Sequence, residues 1–475
     1  MKEISSYQNY DSIIQSKYKY AFLLSAVGDS LGWPLEFSKR KKSKIVETFY
    51  PWKKTIGGKW WGYIDEIKAG EYSDDTQLNL AVARAINSKG EFDPEYFAYL
   101  ELPLWLGYER GGGTSLKTAA KNLLKKKFLW NSNFYKTSRA NYFLAGANGS
   151  AMRNLPIALL GINNEKKFTI DSFKNAIITH GHPRAIVGSL LIGSTIIFFL
   201  KKKEIKLNEY LDYIRDILNN SLETAKKDKI ITNWITYVNK CGAFNTKYKE
   251  TIKEAEHFLL NIKKYLTKED PEFYEFTKAF KREFKGSGIT TTVVAIYMAI
   301  KYLEKPYGAI IKSINMLGSD TDTIGNFVGS ILGAYYGEKL KESQLYELIL
   351  QIQDKKYFET IAEMLFKILN KNLNVTEGSK ISKHEALLRI LAWEIGLHEM
   401  FWEALKEGDT VIHPTLGKGI ISKKYIQKIR RREDYLAKIF RITFQSGQTA
   451  YFHSRVSKEG FVKQSMSEEI QKFIK

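Results

Sequence analysis

The sequence predicts a mainly α-helical protein that ends in a small β unit, and three observations predict it. From residue 10 to about residue 404, apolar residues recur at helical spacing. No βαβ alternation and no repeat of fixed period interrupts that pattern. Past Glu407 the period falls to two, in short runs separated by turn residues.

The helical segments are read at 78–86, 151–160, 186–200, 292–302, 324–336 and 361–369, with glycine, asparagine and proline as stops between them. Residues 201–285 are lysine-rich and amphipathic, as expected of peripheral helices with a solvated face, and extra helices are expected after residue 340. The β runs fall at 411–412, 419–421, 439–444 and 449–452. In Phe440-Arg441-Ile442-Thr443-Phe444, apolar and polar residues alternate as in a half-buried strand. Residues 407–464 therefore read as a small β-barrel, which divides the chain into 1–404 and 405–475. Within it, 418–432 holds seven basic residues and no acid, and is expected as a basic hairpin loop.

A chain of 475 residues with 44% hydrophobic content is long enough for a large core and argues against global disorder. The single cysteine, Cys241, excludes an intramolecular disulfide and fits a reducing compartment. The longest apolar run, 185–200, has 16 residues, short of the ~20 a membrane span needs. Residues 1–20 lack the apolar run of a secretory signal. The expectation is a cytoplasmic protein without a membrane partner. The formal charge of +21 is carried mostly by scattered lysines, since only 14 of the 73 basic residues are arginine. Scattered lysines solvate a surface and do not identify a partner. Residues 405–475 do concentrate charge, with 15 Lys and Arg against 7 Asp and Glu.

Two acidic clusters carry the chemistry. Ser73-Asp74-Asp75-Thr76 precedes one apolar helix, and Asp320-Thr321-Asp322-Thr323 precedes another. Either alone reads as an N-cap, where a carboxylate meets free backbone N–H groups and the helix dipole. Capping needs a single acceptor, and several carboxylates brought together repel one another unless a cation joins them. Hard divalent ions prefer such oxygens, and zinc's usual His and Cys ligands are missing, so magnesium or manganese is favoured. With roughly four carboxylates to share, a pair of ions is expected.

A third segment, Gly28-Asp29-Ser30-Leu31-Gly32-Trp33-Pro34-Leu35-Glu36, is either a plain helix end or a loop presenting Glu36 to the metals. The loop from Gly146 to Arg153 offers backbone N–H groups to a phosphate or simply starts a helix. His180 and His182 precede the long apolar segment, as structural hydrogen-bonders or as pocket residues. There is no nucleophile elbow and no Walker-type loop.

These motifs, in this order, resemble the ADP-ribosylglycohydrolase family. The resemblance covers about residues 18–335, through GDSLGWPLE (28–36), SDDTQ (73–77), RGGGTS (110–115), GANGSAMRNLP (146–156), THGHPRA (179–185) and GSDTDTIGN (318–326). It implies an all-α bundle with a dinuclear magnesium or manganese centre. Ser73, Asp74, Asp75, Asp320, Asp322 and Thr323 would be metal ligands, and Glu36 or Asp74 the catalytic carboxylate. Gly113, Thr114, Asn148, Gly149, Met152 and His180 would contact substrate. Ser73 stands where threonine is common, and Ser319 and Ala147 where glycine is frequent. None of these departures removes a carboxylate.

The pattern from Gly408 to Ile421 resembles the SH3-like or Tudor-like C-terminal module of UvrD/PcrA-type helicases, which implies a protein or nucleic-acid partner. The implied activity is metal-dependent hydrolysis of an ADP-ribosylated protein or nucleic acid. A second reading makes the chain an immunity or regulatory protein that binds ADP-ribose or a toxin and docks through its basic tail.

Overall fold

The computed structural model describes residues 2–38, 44–56, 61–371, 381–394 and 405–457. The helices that frame the site are α1 (Lys2–Gly32), α2 (Asp74–Arg84), α3 (Thr114–Leu123), α4 (Pro183–Lys201), α5 (Leu207–Ala225), α6 (Lys229–Gly242), α7 (Phe244–Tyr265), α8 (Gly288–Lys301), α9 (Thr321–Tyr336), α10 (Lys355–Leu369) and α11 (Lys383–Glu394). The strands are β1 (Trp52–Ile56), β2 (Tyr63–Ile67), β3 (Thr410–His413), β4 (Gly417–Lys428), β5 (Tyr435–Phe444) and β6 (Thr449–Ser457).

The closest helix pair is α1 and α9. They run antiparallel with glycines at the crossing, because a Cβ on Gly28 would lie 2.0 Å from the Gly325 carbonyl oxygen. A Cβ on Gly329 would lie 2.1 Å from the Leu24 oxygen, and one on Gly333 would lie 2.2 Å from that of Tyr20. Backbones that approach this closely admit no side chain. The pairing sets the C-terminal end of α1, which leads to Glu36, beside the N-terminal end of α9, which carries Asp322 and Thr323.

Helix α4 lies against α7, α8 and α9 in the centre of the body. By length and composition it is the one described helix that would suit a bilayer span, and almost all of it is buried inside the protein. Residues 207–265 form three amphipathic helices, the first burying one face through Tyr210, Ile214, Leu218 and Leu222 at helical spacing. Helices α10 and α11 follow residue 340.

The structure corrects the reading in four places. The segment expected to be helical over 151–160 is a turn followed by a short helix, Leu155–Leu160. Pro156 explains this, since proline fits only the first turn of a helix. A hairpin, β1–β2, stands where no strand was expected. It pairs Trp52 with Ile67 and Ile56 with Tyr63, and its five-residue runs are too short for their alternation to register.

The tail is an antiparallel sheet in the order β3-β4-β5-β6, open rather than closed into a barrel. Its apolar face (Ile421, Phe440, Ile442, Phe444, Ala450, Phe452) joins the helical core, where Phe452 meets Tyr108 at 5.4 Å and Trp393 at 5.1 Å. A sheet face already covered by helices needs no closure to leave water. Finally, most of the basic run 418–432 is strand β4, paired along its length with β5, and not a loop. The proposed boundary at 404/405 and the end of the tail, 458–475, lie outside the described residues.

Candidate metal centre and substrate cleft

A cleft of about 200 Å³ opens where α1, α2, α3 and α9 bring their ends together. It is lined by Glu36, Asp74, Asp75, Asp320, Asp322 and Thr323 on the acidic side, and by Gly113, Thr114, Asn148, Gly149, Met152 and His180 on the other. Residues from all six sequence motifs converge here, although they are spread over nearly three hundred positions.

Of the six metal-ligand candidates, only Ser73 stands off. It is fully buried beneath the cleft, and its hydroxyl accepts the Asp75 N–H at 3.2 Å as the cap of α2.

Carboxylate oxygens of Glu36, Asp320 and Asp322 lie within 4.8 Å of one another. Asn148 donates its amide to Asp320 at 2.9 Å, which fixes one oxygen of that carboxylate toward the Gly146–Arg153 loop. Asp322 accepts the Thr323 N–H at 2.9 Å. Burial, and next the charge of Asp322, push the Glu36 carboxyl up to about 8, against the opposing pull of Lys54 and Lys285. Burial also drives Asp74, Asp75 and Asp320 well above the carboxylate range, with neighbouring carboxylates adding to it.

One oxygen of Asp75 is buried with no hydrogen-bond partner. An all-oxygen donor set, an orphaned buried carboxylate oxygen and mutual repulsion together fit a hard divalent cation. Thus Glu36, Asp320 and Asp322 form a possible metal site, with Asp74, Asp75 and Thr323 on the same cleft wall.

Asp29 was not singled out from sequence, although it stands in the first motif. It is fully buried and accepts three hydrogen bonds: the Ser73 and Thr76 N–H groups at 3.1 Å and the Thr76 hydroxyl at 2.6 Å. Asp29 therefore caps α2 from outside, which frees Asp74 and Asp75 to face the cleft. Its place seven residues, or two helical turns, before Glu36 was the available signal. Burial raises the Asp29 carboxyl to about 7. Lys54, on β1, was also missed; its ammonium lies 4.8 Å over the Trp33 ring and opposes the acidic cluster.

The loop of the third motif turns at Gly111, whose φ of +115° only glycine adopts readily. A Cβ there would lie 2.6 Å from the Asp74 Oδ1. Arg110 anchors this loop from behind. Its guanidinium binds Glu71 at 2.6 Å and Asp65 at 2.9 Å, and its carbonyl accepts the Asp74 N–H at 2.9 Å.

The loop of the fourth motif opens with a single turn, Asn148–Ser150, held by buried Arg153. That guanidinium donates to the Gly149 carbonyl at 2.8 Å and to the Thr179 hydroxyl at 2.9 Å. Thr179 Oγ1 lies 2.7 Å from His180 Nδ1, and burial holds that imidazole near 3, so it is neutral. His182 serves as the N-cap of α4, accepting the Arg184 N–H at 3.1 Å, and takes no part in the cleft.

Comparison with known proteins agrees with this geometry. The family model described as ADP-ribosylglycohydrolase matches residues 11–373. The chain belongs to the ADP-ribosylglycohydrolase family. It is 30% identical over 178 residues to the ADP-ribosyl-[dinitrogen reductase] glycohydrolase of Rhodospirillum rubrum, a match covering 37% of this chain and 55% of that enzyme. It is 26% identical over 293 residues to ADP-ribosylhydrolase ARH3 of Gallus gallus, covering 56% of this chain and 71% of the relative. A solved structure, an ADP-ribosylglycohydrolase-related protein complex, superposes with a TM-score of 0.50 at 17% identity, over 75% of this chain and 99% of that one. The last likeness concerns the fold alone. The resemblance of Gly408–Ile421 to the helicase module finds no support in these matches, and the family match ends before the C-terminal sheet.

Proposed function

We propose that this member of the family hydrolyses the glycosidic bond at C1″ of an ADP-ribosylated target and releases ADP-ribose. The observation that carries the reading is the convergence of six acidic-side residues and six substrate-side residues on one cleft. Glu36, Asp320 and Asp322, with Asp74, Asp75 and Thr323, would hold two magnesium or manganese ions. When bound, such ions neutralise the carboxylates and supply electrostatic stabilisation and orientation at the reacting centre.

The protein's own part is positional and protonic. Gly113, Thr114, Asn148, Gly149 and Met152 bind and orient the ADP-ribosyl group, and neutral His180 closes the wall without adding charge. Water adds its oxygen to C1″ as the bond to the target atom breaks. Glu36 or Asp74 accepts the proton from that water and passes it to the leaving atom, which departs protonated.

The test is incubation with arginine-, serine- and nucleotide-linked ADP-ribose, with magnesium, with manganese, and with chelator, followed by detection of free ADP-ribose. Release that needs the divalent ion is expected. Unchanged turnover in chelator would sink the metal centre, and no release from any conjugate would sink the hydrolase.

A further inference from the structure

A second cleft, of about 560 Å³, lies between the β1–β2 hairpin and the C-terminal sheet, beyond the acidic site. Its walls carry Lys53, Lys68, Lys423 and Arg441, together with the rings of Trp52, Tyr425 and Tyr451. The single acid on the wall, Glu66, is paired with Lys53 at 2.8 Å, and the cleft keeps a net positive charge.

The register explains the grouping. Lys423 is the cross-strand partner of Arg441, and Tyr425 follows on the same face of β4. The floor is rigid: the Tyr451 ring stacks on the Arg110 guanidinium at 3.8 Å, and its hydroxyl donates to Glu71 at 2.5 Å. Arg441 donates to that same hydroxyl at 3.2 Å.

At the other end Trp52 meets Trp33 edge-on at 5.0 Å, three residues before Glu36. The hairpin is thus a shared partition, with Lys54 turned to the acidic cleft and Lys53 to the basic one.

The half-exposed rings of Trp52 and Tyr425, set among lysines and an arginine in a concave groove floored by buried Tyr451, match one ligand chemistry: unpaired bases on a phosphate backbone. A duplex hides its base faces and cannot use the rings. We propose that this cleft binds a single-stranded nucleic-acid segment, and that the enzyme's target is ADP-ribose carried on such a strand. The second half rests on the hydrolase reading; the first does not.

The test uses the full chain and fluorescence anisotropy with labelled single-stranded DNA and RNA of about 12 nucleotides, within the ~4–16 that such grooves span. Single strands should bind with a steep loss of affinity as salt rises, and more tightly than the duplex of the same sequence. Lys68→Glu combined with Lys423→Glu should weaken binding at least ~10-fold. Tyr425→Ala should weaken it roughly 10-fold, the loss of one stacked base. No binding at low salt, equal affinity for duplex, or unchanged binding by the lysine double variant would overturn the site. Displacement by a free mononucleotide at comparable concentration would also overturn it, assigning the cleft to a small nucleotide.

A parallel hydrolysis assay separates the two readings. The lysine double variant should cleave ADP-ribosyl-arginine at the wild-type rate and an ADP-ribosylated oligonucleotide at least ~10-fold more slowly. Cleavage of the arginine conjugate alone by the wild-type protein overturns the target assignment and leaves the hydrolase standing. Oligonucleotide binding with no cleavage of either overturns the hydrolase and leaves the cleft standing.

Discussion

The two clefts lie on either side of one hairpin and are built by opposite means. The acidic cleft is assembled from helix ends, with its aspartates buried and Glu36 half-buried, held by backbone N–H groups, an asparagine and a glycine-packed helix pair. The basic cleft is assembled from strand faces, with exposed lysines over a few anchored rings. Burial is what gives the first its chemistry, because charges in a desolvated site interact strongly and their repulsion calls for a cation. Exposure suits the second to a ligand whose affinity comes from releasing counterions.

The largest effect should follow from removing a carboxylate on the acidic side. Asp320→Ala or Asp322→Ala should lower the release of ADP-ribose by roughly 10²–10³-fold, the several kcal/mol that metal electrostatics contributes to such a reaction. Oligonucleotide binding should not move, and circular dichroism should remain helical. A variant retaining a tenth or more of wild-type turnover would place the chemistry elsewhere.

Next comes the helix pair that brings the acids together. Gly329→Ala puts a methyl group 2.1 Å from a backbone oxygen of α1, a position no rotamer can relieve. Destabilisation of ~1–3 kcal/mol is expected in chemical denaturation, with lower turnover as Glu36 and Asp322 separate. Gly308→Ala is the matched control. Its nearest neighbour would be a side-chain carbon 3.8 Å away, and a helical glycine replaced by alanine should be neutral or gain up to ~1 kcal/mol. Equal losses from both would mean that the close crossing does not govern the first.

The acidic site was more legible in the sequence than its frame. Asp74, Asp75, Asp320 and Asp322 could be read because two carboxylates before each of two apolar helices exceed what capping needs, and the motif order tied them to Glu36 and Asn148. Asp29 was missed because its work is to accept three hydrogen bonds from a helix forty-odd residues away, and its seven-residue spacing from Glu36 marks a shared face without showing that role. Lys54 and the basic cleft were missed for a related reason. The alternation in β1 and β2 spans five residues each, and Lys423 meets the hairpin only through tertiary packing. The barrel expected of 407–464 failed because period-two alternation specifies that a strand face is buried, not what covers it. Here the cover is Tyr108 and Trp393 of the helical body.

Cation removal should expose the burial difference through pH. Glu36 and Asp29 hold their protons up to about 8 and about 7 in the folded metal-free protein, against ~4 in the unfolded chain. The native state therefore binds more protons across that window, and stability without metal is greatest at its acid end and falls as pH rises through it. In chelator, Tm should drop between about pH 5 and about pH 8. Magnesium or manganese at ~100 times its dissociation constant should restore about 2.7 kcal/mol, with the largest gain in Tm at the alkaline end. A metal-free Tm that rises over this range would contradict the buried, repelling cluster.

The smallest and most local contrast lies in the glycines of the third motif, at the seam between the clefts. Gly111 has φ +115°, and its missing Cβ would meet Asp74 Oδ1 at 2.6 Å and the Trp33 indole nitrogen at 3.2 Å. Gly113 has an ordinary φ of −67°, and a Cβ added there would have nothing within 4 Å. Gly111→Ala should cost ~1–3 kcal/mol of backbone strain and turn Asp74 away, so that kcat falls. Gly113→Ala should change stability by no more than ~0.5 kcal/mol, and its methyl group, entering the substrate side, should act on KM while leaving kcat near the wild-type value. If the two variants instead lose kcat alike, Gly111 does not position Asp74, and the acidic cleft does not depend on the wall it shares with the hairpin.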